Sequence, residues 1–171
     1  YQYLGLFDDA RAFLEQGIAL CALTGDRHSR AYNVVNQGGV LMLSGDLDGA
    51  RRLFEQGLSE ANELGDVHLY AGQLWELGRL DILTGAPATA RAHLEAARRI
   101  YSDHALTARV MESDALLALC ALAQGEPQQA RQLADTVWRY LRESGTVGMD
   151  EALSTYLALA DVFESLAGAD A

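Results

Sequence analysis

The apolar positions of this chain follow a helical pattern that returns every 40 residues. In the segment Gly45–Asp66, apolar and small residues keep the i, i+3, i+4, i+7 spacing of one α-helix face. They are Ala50, Leu53, Phe54, Gly57, Leu58 and Ala61. An Ala-Arg pair recurs at 10–11, 50–51, 90–91 and 130–131. The pattern predicts a stack of similar helices, because each unit repeats the same buried face.

Glycines mark the predicted joints between helices, on a grid of 20 residues interrupted at Ala105 and Ser165. A glycine just past a helix end can adopt the left-handed conformation that closes the last turn. The grid glycines are Gly5, Gly25, Gly45, Gly65, Gly85, Gly125 and Gly145. An acid follows several of them at once, and an aspartate in that place can cap the next helix. These acids are Asp26, Asp46, Asp66 and Glu126, and Pro87 and Pro127 suit first helical turns.

The pattern therefore predicts helices joined by tight turns. Consecutive helices should pack antiparallel, since short turns allow little else, and repeated pairs should form a solenoid. The joint near Ala105 has turn chemistry without glycine in Ser102, Asp103 and His104. The predicted helices are 8–23, 27–43, 47–63, 67–83, 87–102, 106–123, 127–143 and 148–166.

The two ends of the sequence suggest a piece of a longer array. Tyr1–Leu4 is expected to be the tail of a helix, and Ala167–Ala171 the turn into another. The sequence does not begin with Met. The last helix, 148–166, is more apolar than a solvent-facing cap, so we expect it to pack on a further repeat or to mediate dimers.

The amino-acid composition argues against several classes of function. A net charge of -11 argues against binding to nucleic acid or anionic lipid, both of which attract basic surfaces. The chain has no lysine, which excludes Schiff-base chemistry within it. The isolated Cys21 and Cys120 form no disulfide framework and fit a reducing cytosol. No apolar run is long enough for a membrane span, so a cytoplasmic location is expected.

Columns of residues 40 positions apart resemble the tetratricopeptide repeat. That family places a small residue in the first helix of each pair, then an Ala, a large apolar residue and another small residue in the second. The first-helix column here is Gly38, Gly78, Ala118 and Ala158. The second-helix columns are Ala10, Ala50, Ala90 and Ala130; Leu14, Phe54, Leu94 and Ala134; and Gly17, Gly57, Ala97 and Val137.

The resemblance implies an all-α fold, an α-α superhelix that forms a right-handed solenoid of antiparallel helix pairs with about four repeats. The whole chain, 1–171, is expected to be one such domain, with repeats near 1–26, 27–66, 67–105, 106–145 and 146–171, the first and last being partial. The longer helices resemble the 40-residue variety found in kinesin light chains, LGN-type adaptors and bacterial regulators such as the maltose regulator and large LuxR-type activators. The resemblance to the tetratricopeptide repeat implies a binding scaffold with no catalytic residue, cofactor or metal.

The resemblance also implies that the first helix of each pair lines a concave groove. The columns that change chemistry between repeats are candidates for that face, because packing columns vary less freely. We therefore expect partner-binding residues at Tyr32, Asn36, Gly39, Trp75, Glu76, Arg79, Glu112 and Tyr156.

Structural interpretations of several of these residues remain open. Trp75 could be a groove anchor or a core residue. Glu76 and Arg79, at i, i+3, could bind a partner or pair with each other on a solvated face. Asn36 is a weak helix former with a two-way amide, and in this family such residues often bind an extended peptide backbone.

Other chemistry-bearing residues favour structural roles. His28 and His68 are 40 apart, each near a helix start. His93 falls in the packing column of Phe13, Leu53 and Leu133, which indicates a partly buried structural histidine. No histidine pair has the i, i+4 spacing of a helical metal site, and no phosphate-binding glycine loop occurs.

We therefore interpret the chain as a non-catalytic domain of a larger cytoplasmic regulator, bacterial in origin, that binds a protein or peptide in its groove. The alternatives are a small-effector sensor and a purely structural or self-associating segment. A homodimer through the C-terminal helix is a further expectation, and direct contact with nucleic acid or a membrane is not expected.

Overall fold

A computed structural model describes residues 6–169, which form eight α-helices and no strands. The helices are α1 (Phe7–Thr24), α2 (Arg27–Leu43), α3 (Leu47–Leu64), α4 (Val67–Leu83), α5 (Pro87–Asp103), α6 (Thr107–Ala123), α7 (Pro127–Ser144) and α8 (Ala152–Ala169). The first seven begin and end within one residue of the predicted bounds. The all-helical prediction is confirmed.

The prediction for the last helix was wrong at both ends. α8 begins at Ala152 rather than 148, and it continues through Ala169 where a turn was expected. Gly145 and Gly148 both have positive φ, of 65° and 79°, so the preceding joint holds two left-handed residues and lengthens. The prediction for Tyr1–Leu4, and Gly5 of the grid, lie outside the described residues.

Five joints between helices close with the same pair of backbone hydrogen bonds. At Gly45, the Gly45 N–H donates to Met42 at 3.2 Å and the Asp46 N–H donates to Leu41 at 2.9 Å. This is the Schellman arrangement, which requires a left-handed residue at the helix end. The same two bonds recur at the joints centred on residues 65, 85, 105 and 125.

Acidic caps start three helices. The carboxylates of Asp26, Asp46 and Asp66 accept backbone N–H donors at 3.0, 2.8 and 2.9 Å, respectively. Glu126 makes no such bond, and its longer side chain instead reaches Arg91 at 2.5 Å. Capping was therefore predicted correctly for the three aspartates.

Ala105 provides a direct test of the joint geometry, because it holds a position that glycine occupies elsewhere. Its φ is 56°, in the left-handed region that disfavours a side chain. We expect Ala105→Gly to raise the free energy of unfolding by about 0.5–1 kcal/mol. Gly85→Ala is the matched control: its φ is 73° and a Cβ there would meet no atom within 4 Å, so it should lose about 1 kcal/mol. Urea unfolding measures both; a loss of stability in Ala105→Gly would contradict the argument.

The described chain divides into two compact units, one ending at Leu80 and the other starting at Asp81. In the first unit, Phe54, Leu77 and Leu80 form one core cluster, and Ala31, Ala61 and Leu69 form another. That the chain is a single domain stays a prediction.

Within each unit, paired contacts show that neighbouring helices run antiparallel. In the first unit, Arg27 meets Glu63 and Arg30 meets Glu60, so numbers rise along α2 as they fall along α3. In the second, Tyr101 on α5 meets Arg109 on α6 and Arg98 meets Asp114, so numbers fall along α5 as they rise along α6. The antiparallel prediction is thus confirmed for these pairs.

The predicted packing columns are buried. Ala50, Ala90 and Ala130 have no exposed surface, and neither have Phe54 and Leu94. Gly38 faces the ring of Phe54: a Cβ at Gly38 would come within 2.5 Å of Phe54 Cε1. The column that contains Gly38 therefore holds small residues because two helices approach closely at this position.

Candidate functional site

The predicted groove residues are divided between the two units. Tyr32, Asn36 and Gly39 lie on α2, and Trp75, Glu76 and Arg79 lie on α4, all in the first unit. Glu112 on α6 and Tyr156 on α8 lie in the second unit.

On α2, the offsets of four and three residues place Tyr32, Asn36 and Gly39 on one helix face. Tyr32 and Asn36 are exposed, and Gly39 is half-buried. Burial of the hydroxyl, and to a smaller extent the charge of Asp66, raise the pKa of Tyr32 above its ordinary value of 10.0. Tyr32 is therefore a neutral donor at physiological pH.

Two asparagines on α2 differ in what their amides can do. The Asn33 amide donates to the Ser29 carbonyl at 2.9 Å and approaches Cys21 Sγ at 3.8 Å, and it packs over Gly17. The exposed Asn36 amide makes no hydrogen bond with any residue that the structure describes. Asn36 can therefore offer both a donor and an acceptor to an incoming group.

On α4, three predicted residues form one cluster. Arg79 Nη1 donates to Glu76 Oε2 at 3.1 Å, and its guanidinium lies over the Trp75 ring, 5.0 Å from the ring centre. Both charged side chains are partly buried. The guanidinium is held from two sides, by a carboxylate and by the face of a ring.

Trp75 itself belongs to the core rather than to an exposed surface, being 1% exposed. Its column continues through Ala115 and Thr155, which are also buried. The structure therefore supports the interpretation of Trp75 as a core residue, and corrects its placement as a groove anchor. Its ring lies against the Arg79 guanidinium.

Glu112 also differs from its expected place on an open surface, because it is 1% exposed. Its Oε2 accepts from Arg109 Nη1 at 2.6 Å, and its Oε1 accepts from the Glu151 backbone N–H at 2.7 Å. Burial raises the pKa of Glu112 above 4.5, while the charge of Arg109 opposes that rise. Glu112 therefore joins α6 to the joint before α8, and is not an exposed groove residue.

Tyr156 borders an apolar cleft of about 370 Å³ between α7 and α8. The cleft is also lined by Trp138, Leu159, Ala160 and Phe163. Tyr156 and Trp138 are both substantially exposed, so this part of the surface is apolar, in contrast to the polar face of the first unit.

A second cleft, of about 410 Å³, lies between α5, α6 and α7. Its volume is in the range of small-molecule sites. Two of its arginines are already paired: Arg91 with Glu126, and Arg98 with both oxygens of the buried Asp114. The cleft was not predicted, because the pairings join different helices and leave no periodic signal in the sequence.

Histidines and cysteines occupy structural positions. His93 Nδ1 lies 2.8 Å from Oδ2 of the buried Asp81, which agrees with the partly buried structural role expected for it. His28 lies 3.9 Å from Asp66. Burial raises the pKa of the Cys120 thiol to about 11, and Cys21 is only half-buried. Within residues 6–169, no three His, Cys, Asp or Glu side chains are grouped so that they could hold a metal ion.

Comparison with known proteins identifies the class. The sequence profile of the tetratricopeptide repeat matches residues 35–56 and 111–136, which carry Gly38, Phe54, Ala118 and Ala130. A comparison with curated proteins gave no match. None of the helices in the described chain is long and apolar enough to cross a membrane.

Solved structures show the same fold. A protein of Podosopora anserina, described as a putative kinesin light chain with nearly identical TPR-like repeats, is 22% identical with a TM-score of 0.69, covering 96% of this chain and 81% of that one. A variant of that protein with one residue replaced is also 22% identical, with a TM-score of 0.67 and coverage of 98% and 88%. BtubC (BKLC) from P. vanneervenii is 16% identical, with a TM-score of 0.70 and coverage of 94% and 66%.

The chain is therefore a helical-repeat protein of the solenoid class. Two of its segments match the tetratricopeptide repeat profile, and the buried columns are those in which it resembles that repeat. Proteins built from these repeats are generally non-catalytic scaffolds for protein–protein interaction. The assignment to the 40-residue variety stays a prediction.

Proposed function

We propose that this chain is a peptide-binding module whose recognition surface is the exposed polar face of α2 together with the partly buried Glu76–Arg79 pair of α4. The observation that carries the proposal is a contrast between α2 and α6, each of which is the first helix of its pair. Asn36 and Tyr32 are exposed with polar groups available, whereas the corresponding positions on α6, Leu116 and Glu112, are buried. A polar, pre-positioned face suits an extended peptide, whose backbone needs paired donors and acceptors.

The chemistry of the face suggests how such a peptide would be bound. The Asn36 amide would accept one backbone N–H and donate to one carbonyl of the peptide. The Glu76–Arg79 pair would read a charged side chain, with Arg79 held over Trp75. The net charge of -11 favours a partner that carries net positive charge, through faster electrostatically guided encounter.

The wider setting is part of the proposal. We infer that the module works without catalysis in a larger cytoplasmic, bacterial regulator of signalling or transcription. The support is the resemblance of its repeats to those of bacterial regulators, together with an arginine-only basic composition. The kinesin light chain description of one structural neighbour favours an adaptor instead, which would equally bind a protein partner.

A selected peptide tests the face directly. Peptides would be selected from a displayed random library against the wild-type chain, and their affinity measured by fluorescence polarisation. Replacing Asn36, Glu76 and Arg79 together with Ala should weaken binding at least about 100-fold, because each removes a direct polar contact. Circular dichroism should show unchanged helicity.

The matched control removes three comparable polar and charged side chains from α3, which is the second helix of its pair. Gln56, Glu55 and Arg52 are exposed there, and replacing them with Ala should leave affinity within about twofold. Peptides that bind the α2/α4 variant as tightly as the wild type would show that the recognition surface lies elsewhere.

Self-association through α8 is a second proposal, which rests on a different observation. Leu153 and Leu157 are 63% and 57% exposed on α8, next to Tyr156. Exposed apolar residues at i, i+3 and i+4 on one helix are typical of a surface that packs on another helix.

A further inference from the structure

Helices α2 and α4 lie side by side in the first unit and run in the same direction. His28 Nε2, near the start of α2, lies 3.9 Å from Oδ2 of Asp66, which caps α4. Towards the other ends of the two helices, Met42 and Leu80 belong to one core cluster. Residue numbers therefore rise together along α2 and α4, and the members of each of these pairs are 38 positions apart.

The proposed recognition surface, taken with the neighbouring Gly72, forms three rows, each with one position on α2 and one on α4. The members of a row are 40 residues apart, which is within one helical turn of the observed offset. The rows are Tyr32 with Gly72, Asn36 with Glu76, and Gly39 with Arg79. In the first row the large side chain stands on α2, and in the third row it stands on α4. The two glycines therefore lie at opposite corners of the surface.

Gly39 and Gly72 lack the packing role that other helical glycines have. A Cβ at Gly38 would come within 2.5 Å of the Phe54 ring, and a Cβ at Gly57 would also meet a side chain. At the half-buried Gly39 and Gly72, a Cβ would meet no atom within 4 Å. Glycine is less favourable than alanine inside a helix, so the packing of the first unit does not explain these two residues.

We propose that Gly39 and Gly72 set the path of the bound peptide, whose main chain crosses from one glycine to the other against open helix backbone. Because neither glycine has a Cβ, the peptide can approach both helices closely. Asn36 lies in the middle row of this path, and its exposed amide, which makes no bond with any described residue, pairs with the peptide main chain. The inference rests on the proposed function, because it names the route of the peptide over the same surface.

The path selects an extended segment as the ligand. The first and third rows are seven residues apart on α2, which corresponds to about 10 Å along the helix. Packed helices lie about 8–10 Å apart, so the diagonal between the two glycines is about 13–14 Å. An extended chain covers that distance in about four residues. A helical ligand, about 10 Å in diameter, would keep its main chain away from both glycines.

Replacing each glycine tests the path, with a library-selected peptide that binds the wild type as the probe. Gly39→Ala and Gly72→Ala should each raise the urea midpoint, because alanine favours a helix and its Cβ meets no atom. Each should nevertheless weaken peptide binding at least about fivefold, because the added methyl lies where the peptide main chain passes. Gly39→Gln and Gly72→Gln cover more of the path and should weaken binding at least about 30-fold. A glycine with a purely structural role would not give a more stable fold together with weaker binding.

The four-residue contact has a separate readout in the peptide. N-methylation of one peptide amide at a time removes a main-chain donor and adds bulk to the peptide main chain. Fluorescence polarisation should find a run of about four residues in which this change weakens binding at least about tenfold. Losses of that size at scattered positions, or at none, would contradict the path.

Gly168→Ala is the matched control, because Gly168 is an exposed glycine of α8 whose Cβ would also meet no atom within 4 Å. It should leave peptide affinity within about twofold. Glycine variants that bind as tightly as the wild type, when the Asn36, Glu76 and Arg79 triple variant does not, would overturn the path and leave the proposed function standing. A urea midpoint that falls in either alanine variant would also overturn the path, since that glycine would then have a packing role. Unchanged affinity in the triple variant would instead contradict the proposed function itself.

Discussion

Phe54→Ala should lower the free energy of unfolding of the first unit by about 4 kcal/mol. The ring has no exposed surface and lies in a core cluster with Met42, Leu77 and Leu80. Truncation removes its buried apolar area and leaves a cavity that the surrounding helices cannot fully close. This is one of the two largest losses that we expect from any single substitution in the chain.

Gly38, which faces this ring, allows the opposite test, because a substitution there adds volume to the core instead of removing it. Gly38→Ala places a Cβ 2.5 Å from Phe54 Cε1 and 2.9 Å from Cδ1, so the ring or the helices must shift. Overpacking of this kind costs about 1–3 kcal/mol, although alanine recovers about 1 kcal/mol of helix propensity. We expect a net loss of about 1–2 kcal/mol.

The double variant tests whether the two losses share one cause. Gly38→Ala with Phe54→Ala recreates the combination that the sequence itself carries at Ala118 and Ala134, both without exposed surface. The added methyl would partly fill the cavity, so the double variant should be more stable than the sum of single losses by at least about 1 kcal/mol.

Urea unfolding followed by Trp75 fluorescence measures this cycle in a Trp138→Phe background, since the chain has two tryptophans and Trp75 lies in the first unit. Leu43→Ala, at an exposed leucine on α2, is the control and should change stability by less than about 1 kcal/mol. Strict additivity of the two losses would show that Gly38 and Phe54 do not pack as described.

The helix joints and the packing columns could be predicted from the sequence. Joints and packing columns repeat because each depends on short-range geometry: a left-handed residue at 25, 45, 65, 85, 105, 125 and 145, and a small residue where backbones approach. Ala105 shows that the position matters more than the residue, since the joint forms there without glycine. Periodicity therefore located seven helices to within one residue.

The candidate site was harder to predict, because variation along a column has two causes. A column changes either because it faces solvent or because its packing partner changes too. The column of Trp75, Ala115 and Thr155 varies for the second reason, since all three are buried. Asn36 and Tyr32 are exposed, as a groove requires, yet nothing in their spacing distinguishes them from Trp75.

The repeat pattern also did not predict which charged residues are buried. α6 buries Glu112, Ser113 and Asp114 in succession. Sequence alone suggests exposed polar residues there. Asp114 is paired through a tertiary contact with Arg98 of α5, and Glu112 is paired with Arg109 one turn earlier on α6. Among the described residues, this is where local pattern and tertiary packing disagree most clearly.

The Arg109 side chain stands at the centre of this polar cluster, and it carries the second large prediction. It contacts Glu112 at 2.6 Å, the Tyr101 hydroxyl at 2.9 Å and Asp150 at 3.3 Å. Its guanidinium also lies 5.0 Å from the Tyr101 ring centre. Arg109→Met keeps most of the stem but leaves the Glu112 carboxylate buried without its cation. Loss of one partner of a buried pair costs about 3–5 kcal/mol, and we expect about 3 kcal/mol at neutral pH because Glu112 keeps the Glu151 N–H.

The loss should depend on pH, with a sign that follows from the pKa of Glu112. Burial raises that pKa above 4.5 in the folded state, so the folded chain holds the proton more tightly than the unfolded chain. The stabilisation from this proton is fully present below pH 4.5 and is lost as pH rises through the raised folded pKa. Without Arg109 the pKa rises further, so the cost of Arg109→Met should be smaller at about pH 5 than at about pH 7.

Glu112→Gln separates the charge from the packing. The glutamine carbonyl can still accept the Glu151 N–H, but no charge is left to bury. Adding it to Arg109→Met should recover at least about 1.5 kcal/mol at neutral pH and remove most of the difference between the two pH values. Arg131→Met, which breaks an exposed i, i+4 pair with Asp135, should cost less than about 1 kcal/mol. If urea unfolding gave equal losses at both pH values, and no recovery in the double variant, then Arg109 would stabilise the second unit through Tyr101 and its own stem rather than through the charge of Glu112.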